Sequence, residues 1–171
     1  MRYMKPWPLF KELKRISIYN TDERKLLGLD VGEKFVGLSI SDPSSTIASP
    51  LRVLVRKKCN RDTMIDVLQK LVSEFSVEGF IFGSPWAAKK HNRIEAYRVK
   101  AFVEDLSETG YFKDLMFTYW DEGYTSKNVE MMLKPLDLNH FNSKQIVDKF
   151  AAVGILQAYL DFVNKMLKKQ T

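Results

Sequence analysis

The feature that most constrains this chain is the placement of two helix-period segments between its last three strand-like runs. After SPLRVLV, the residues Met64, Leu68, Leu71, Val72 and Phe75 recur at helical spacing, from about Arg61 to Phe75. After GFIFG (Gly79 to Gly83), a second such segment runs from about Asn92 to Ser107, with Ile94, Tyr97, Phe102, Val103 and Leu106 apolar. A strand reached through a helical crossover lies parallel to its predecessor in the sheet, so GFIFG and the run from Leu115 to Trp120 are expected parallel to the first strand. Upstream, KLLGLDV and FVGLSIS flank a Gly32-Glu33-Lys34 turn and read as a hairpin. SPLRVLV extends it to an antiparallel meander. The expectation is an α/β fold: a mixed five-stranded sheet, three strands antiparallel and two parallel, flanked by helices. A short helix is expected after Thr125 and a long one from Ser143 to about Lys168.

Length and composition narrow the class. At 171 residues the chain fits one domain, and 45 % hydrophobic with 28 % charged residues reads as a soluble globular protein. Residues 1–23, with Trp7 between Pro6 and Pro8, read as a basic N-terminal arm or short helix outside the core, and residues 24–171 as the domain. One cysteine, Cys59, rules out an intramolecular disulfide and suits a reducing compartment. The net charge of +6 fits a polyanionic partner and equally fits solubility alone. No apolar run approaches the ~18 residues of a membrane span, so no membrane role is expected. The N-terminus makes a poor secretory signal and a weak transit peptide, so a cytoplasmic protein is expected, with organellar import left open.

Four acidic residues stand in apolar settings. Asp30 ends the first strand beside the Gly32 turn, where a carboxylate is costly unless something pairs with it. It reads as a turn former or as a site residue. Asp121 and Glu122 close LMFTYW, and strand alternation sends them to opposite faces, so only one can look into a given site. A polar strand end is the plain alternative. Asp148 heads a helical face that continues through Ala152, Ile155, Tyr159 and Phe162. Interaction with the helix dipole would explain it as well as a ligand role. Together they say more. Parallel first and fifth strands that lie close bring their C-terminal ends to one edge, and sites in open sheets form beyond such ends. Clustered carboxylates are tolerable where hard divalent cations bind, and two such ions support phosphodiester cleavage.

At these same residues the chain resembles the YqgF family of RuvC-type, ribonuclease H-like proteins. LLGLDVGEKFVGLSISDPSSTIASPL is similar to the family's first hairpin, GFIFGSP to its fourth strand, DEGYTS to its acidic motif and VDKFAAVGILQAYLD to its closing helix. The last segment is the most specific, and the similarity covers about Lys25 to Val163. The resemblance implies a ribonuclease H-like fold and a nuclease with catalytic, metal-binding carboxylates at Asp30, Glu122 and Asp148, with Asp121 a secondary ligand choice. It implies Mg²⁺ or Mn²⁺ as cofactor and structured nucleic acid as partner, RNA favoured, in ribosomal RNA processing. Phe35 and Gly123 stand where the family usually has basic residues, and Trp86, Ala87, Ala88, Lys89 and Lys90 replace its polar, glycine-containing loop. These departures touch substrate-gripping positions and bear on turnover and specificity more than on fold.

The loop after the fourth strand is expected to overhang the carboxylate edge. Lys89, Lys90 and Arg93 there can hold phosphates and Trp86 can stack on a base, against the plainer readings of a solvated loop and a core anchor. Lys57, Lys58 and Arg61 read as a solvated run. Competing functions are a Holliday-junction-type DNA resolvase and an inactive nucleic-acid-binding protein. A third is an actin-like ATPase, suggested by LGLDVGEKFVGLSI but needing a second domain for which the chain is too short.

Overall fold

The computed structural model describes residues 1–19, 24–56, 61–84, 93–121 and 140–170, and for residues 18, 19, 140–146 and 148 the backbone alone. The strands are β1 (Arg2–Tyr3), β2 (Lys25–Val31), β3 (Phe35–Ser41), β4 (Ala48–Val55), β5 (Val77–Gly83) and β6 (Met116–Trp120). The helices are α1 (Pro6–Tyr19), α2 (Arg61–Glu74), α3 (Arg93–Glu108) and α4 (His140–Lys168). The helix expected after Thr125 lies outside the described residues. One six-stranded sheet has the order β1-β6-β5-β2-β3-β4. β2, β3 and β4 pair antiparallel, while β5 and β6 run parallel to β2, as the crossovers require.

Two differences from the sequence reading matter. β2, which bears Asp30, and β6, which ends just before Asp121, are parallel but not adjacent, because β5 pairs with both. Two strand spacings, roughly 10 Å, therefore separate them. The N-terminal segment is also no arm outside the core. Arg2 and Tyr3 add a sixth strand by pairing parallel to Met116 and Phe117. α1 then buries Leu9, Phe10 and Leu13 completely or nearly so. Pro6 suits the first turn of a helix, where its missing N–H has no partner to lose. Its carbonyl accepts a hydrogen bond from the Tyr159 hydroxyl of α4 at 2.9 Å. Burial pushes the Tyr159 pKa upward, so the phenol stays a neutral donor.

The two faces of the sheet hold separate cores. Leu27, Leu29 and Val31 of β2, with Phe80, Phe82 and Phe117, pack under α2 and α3. Leu26, Ile81 and Met116 pack under α1 and α4, against Ile155, Leu156, Tyr159 and Leu160. This is the alternation expected of strands covered on both sides. It assigns even-numbered positions of β2 and β6 to the α4 face.

Candidate carboxylate site at the sheet edge

Asp30 is half-buried at the C-terminal end of β2. It shares its parity with Leu26 and Gly28, and so belongs to the face that α4 covers. What brings α4 close is the absence of a side chain at Gly28. A Cβ there would stand 2.4 Å from Ser39 Oγ, 2.7 Å from Leu156 Cβ and 3.1 Å from the Ala152 carbonyl. The helix is pinned in register by Ser39, fully buried, whose hydroxyl donates to the Ala152 carbonyl at 2.7 Å.

The direction of α4 follows from its other contacts. Gln157 accepts from Ala48 N at 2.8 Å and donates to Thr46 O at 2.9 Å, and Asn164 donates to Ser45 O at 2.7 Å. Ala48 pairs with Ser41, whose hydroxyl accepts from Leu26 N. With rising residue number the helix thus descends from Gly28 past Leu26 to the loop below the strand's N-terminal end. Its N-terminal half therefore runs toward Asp30. Position 148 lies one turn before Ala152, a rise of about 6 Å. Asp30 lies two strand residues beyond Gly28, about 6.6 Å. The two rises match, so the backbone at 148 comes level with Asp30 on the same face. The expected apolar stripe below it is present: Ala152, Ile155 and Tyr159 are fully buried, and Phe162, partly exposed, packs on Trp120.

The other predicted site residues fall as follows. Asp121 is exposed, one residue past β6, on the parity of Phe117 and Tyr119, which belong to the α3 face. Glu122, Trp86, Lys89 and Lys90, like Lys57, Lys58, Phe35's counterpart departure at Gly123, and the Asp148 side chain, lie outside the described residues. Arg93 is exposed and opens α3. Ile94 and Tyr97, expected on an apolar face, are 71 % and 74 % exposed. The reason is reach. Phe102 packs on Phe82, which is paired with Leu29 near the end of β2. Val99 is still buried in that core, but the first turn of α3 before it, with Ile94 and Tyr97, rises past the sheet edge. By the helical count above, α4 before position 148 also passes that edge, on the other face. The strand ends lie between these two helices.

Gly28 and Ser39 were not among the residues singled out from sequence. The available signal was the glycine itself, since a glycine inside a strand marks a close backbone approach.

Comparison with known proteins agrees with this architecture. RuvC of T. thermophilus, solved in complex with a Holliday junction substrate, superposes with a TM-score of 0.50 at 12 % identity, covering 81 % of this chain and 95 % of that one. A second T. thermophilus RuvC structure gives the same TM-score over 82 % and 96 %. The fold is thus RuvC-like, of the ribonuclease H class. Residues 24–162 match the RuvX family, described as Holliday junction resolvase. A relative from Syntrophomonas wolfei named "Putative pre-16S rRNA nuclease" is 36 % identical over 137 residues, 80 % of this chain and 94 % of its own. One of the same name from Desulforamulus reducens is 35 % identical over 80 % and 96 %. The chain belongs to the RuvX family, also called YqgF, a family of nucleases.

Proposed function

We propose that this protein is a divalent-metal-dependent nuclease that cleaves structured nucleic acid, RNA in ribosomal RNA processing before any other, with Asp30, Glu122 and Asp148 as its catalytic carboxylates. The observation that carries the reading is Asp30 itself: a half-buried carboxylate on the α4 face, level with helix position 148. Asp121 follows β6 on the parity of Phe117 and Tyr119, the α3 side, away from the face that holds Asp30. This supports Glu122 over Asp121 as the ligand from that motif. The donor chemistry fits Mg²⁺ or Mn²⁺, since carboxylate oxygens are the ligands hard cations prefer. When bound, such ions supply an activated water and charge stabilisation on the leaving oxygen. The residues' own part is to fix the oxygens: β2 holds Asp30, and Ser39 with Gly28 sets the height of Asp148. RNA is favoured because the relatives above are named for a pre-rRNA substrate. The family description favours a second substrate, the DNA four-way junction.

The test is cleavage of a panel of precursor RNA, duplex and branched DNA substrates with and without Mg²⁺. Wild-type protein is expected to cut precursor RNA only with the metal. Asp30→Asn, nearly isosteric, is expected to lower the rate by at least about 100-fold while folding normally. Wild-type rates in that variant would remove Asp30 from the mechanism. Metal-dependent cutting of junctions alone would move the substrate to DNA. Tight RNA binding without cleavage of any substrate would make the protein an inactive binder.

A further inference from the structure

Arg56 follows β4, whose end lies at the same sheet edge as the end of β2. Its guanidinium donates to the Gly32 carbonyl at 3.2 Å, two residues beyond Asp30, and lies 5.5 Å from the centre of the Phe102 ring. Arg98 stands one turn before Phe102 on α3, half-buried like Arg56. Neither arginine makes an ion pair among the described residues. The acid whose charge acts on Arg56, Asp105, has its carboxylate bridged by Arg61, with three contacts of 2.6 to 2.9 Å. Two half-buried cations, Arg56 over the Phe102 ring and Arg98 close enough for its charge to act on Arg56, thus stand near the sheet edge with no ion-paired acid among the described residues. Like charges placed side by side in this way suit an anionic ligand. Arginine's planar fork is suited to phosphate oxygens, and stacking on Phe102 fixes the plane of one fork in advance.

We propose that Arg56 and Arg98 form a phosphate subsite that grips the nucleic-acid backbone on the α3 side of the sheet edge, across from the Asp30 carboxylate. The proposal rests on the nuclease reading for its ligand, and it adds the path of the strand: over the edge, from the acidic α4 side to the basic α3 side. Burial, and then the charge of Arg98, push the Arg56 pKa down, which is the sign of a repulsion that a bound phosphate relieves. Arg61, which the sequence groups with Lys57 and Lys58 as a solvated run, is paired with Asp105 and so stands outside the subsite.

The experiment is binding of short fluorescein-labelled oligouridylate and oligodeoxythymidylate, followed by anisotropy against salt in EDTA, so that no cleavage is required. Arg98→Gln is expected to weaken binding several-fold and to lower the log–log salt slope by about 0.7, one single-strand phosphate contact. Arg56→Lys keeps the charge and is expected to hold the slope while losing affinity, because the fork is gone. Arg61→Gln is the control and is expected to match wild type. Equal losses with both polymers are the result expected of a phosphate contact. An unchanged slope in Arg98→Gln, a loss confined to one polymer, or no salt-dependent binding by wild type would overturn the subsite. A reduced slope in a protein that cleaves nothing would keep the subsite and discard the nuclease, and the reverse result would do the opposite.

Discussion

The two faces of the sheet are built by different means. Under α2 and α3 the space is filled by volume: Phe80, Phe82, Phe102, Phe112 and Phe117 form a chain of ring contacts with centroids 5.7 to 6.3 Å apart. Under α4 the space is removed instead. Gly28 lets the helix backbone down onto the sheet, and buried Ser39 and Ser41 hydrogen-bond where large side chains would stand. Packed rings tolerate small adjustments, because no single contact sets the height of a helix. A hydroxyl bonded to one carbonyl leaves a single register. Asp30 and the backbone of position 148 lie on the face that is fixed in register, which is what positioning reactive oxygens demands.

This contrast can be broken in order of expected effect. Phe82→Ala, on the filled face, is expected to cost about 3–5 kcal/mol of stability through lost burial and a cavity. Chemical denaturation measures it, and the Mg²⁺ midpoint for cleavage by the folded fraction is expected to stay put. Gly28→Ala is expected to cost less, about 1–3 kcal/mol, by overpacking against Leu156 and Ser39. It should nonetheless shift the Mg²⁺ midpoint several-fold, because the helix carrying position 148 must lift. If Phe82→Ala moved the midpoint and Gly28→Ala did not, the division between the faces would be wrong.

The smallest effect lies at the far end of α4. Asp42 accepts from Thr46 N at 2.6 Å and Ile47 N at 2.7 Å, and from the Ser44 and Thr46 hydroxyls. Burial opposes its charge, but these bonds outweigh it and hold the carboxyl well below its ordinary value of 3.8. A depressed folded pKa means the stabilisation is complete above that ordinary value and is lost as pH falls below it. Asp42→Asn should therefore flatten the stability profile below about pH 4 and leave the Mg²⁺ midpoint unchanged. A wild-type slope in that variant would assign the acid sensitivity to other carboxylates.

Much of this was legible in the chain. Apolar runs bounded by turn residues marked β2 through β6, the 3.6 period marked three of the four helices, and helical crossovers dictated which strands run parallel. The parity of Asp30 and the apolar stripe through Ala152, Ile155 and Tyr159 needed only counting. A sequence period, however, reports which face a residue takes and not which element covers it. The helical spacing of Leu9, Phe10 and Leu13 was present, yet the basic residues around it suggested an arm, and only contact with Gly79, Met116 and Tyr159 made it core. Strand order was likewise decided in three dimensions, where β5 took the place beside β2. The same holds for charge: Arg56 and Arg61 lie five residues apart, and nothing local distinguishes them. Asp105, 44 residues from Arg61, neutralises that arginine, while Arg56 stacks on Phe102 with no ion-paired acid among the described residues, because pairing depends on distance through space and not along the chain.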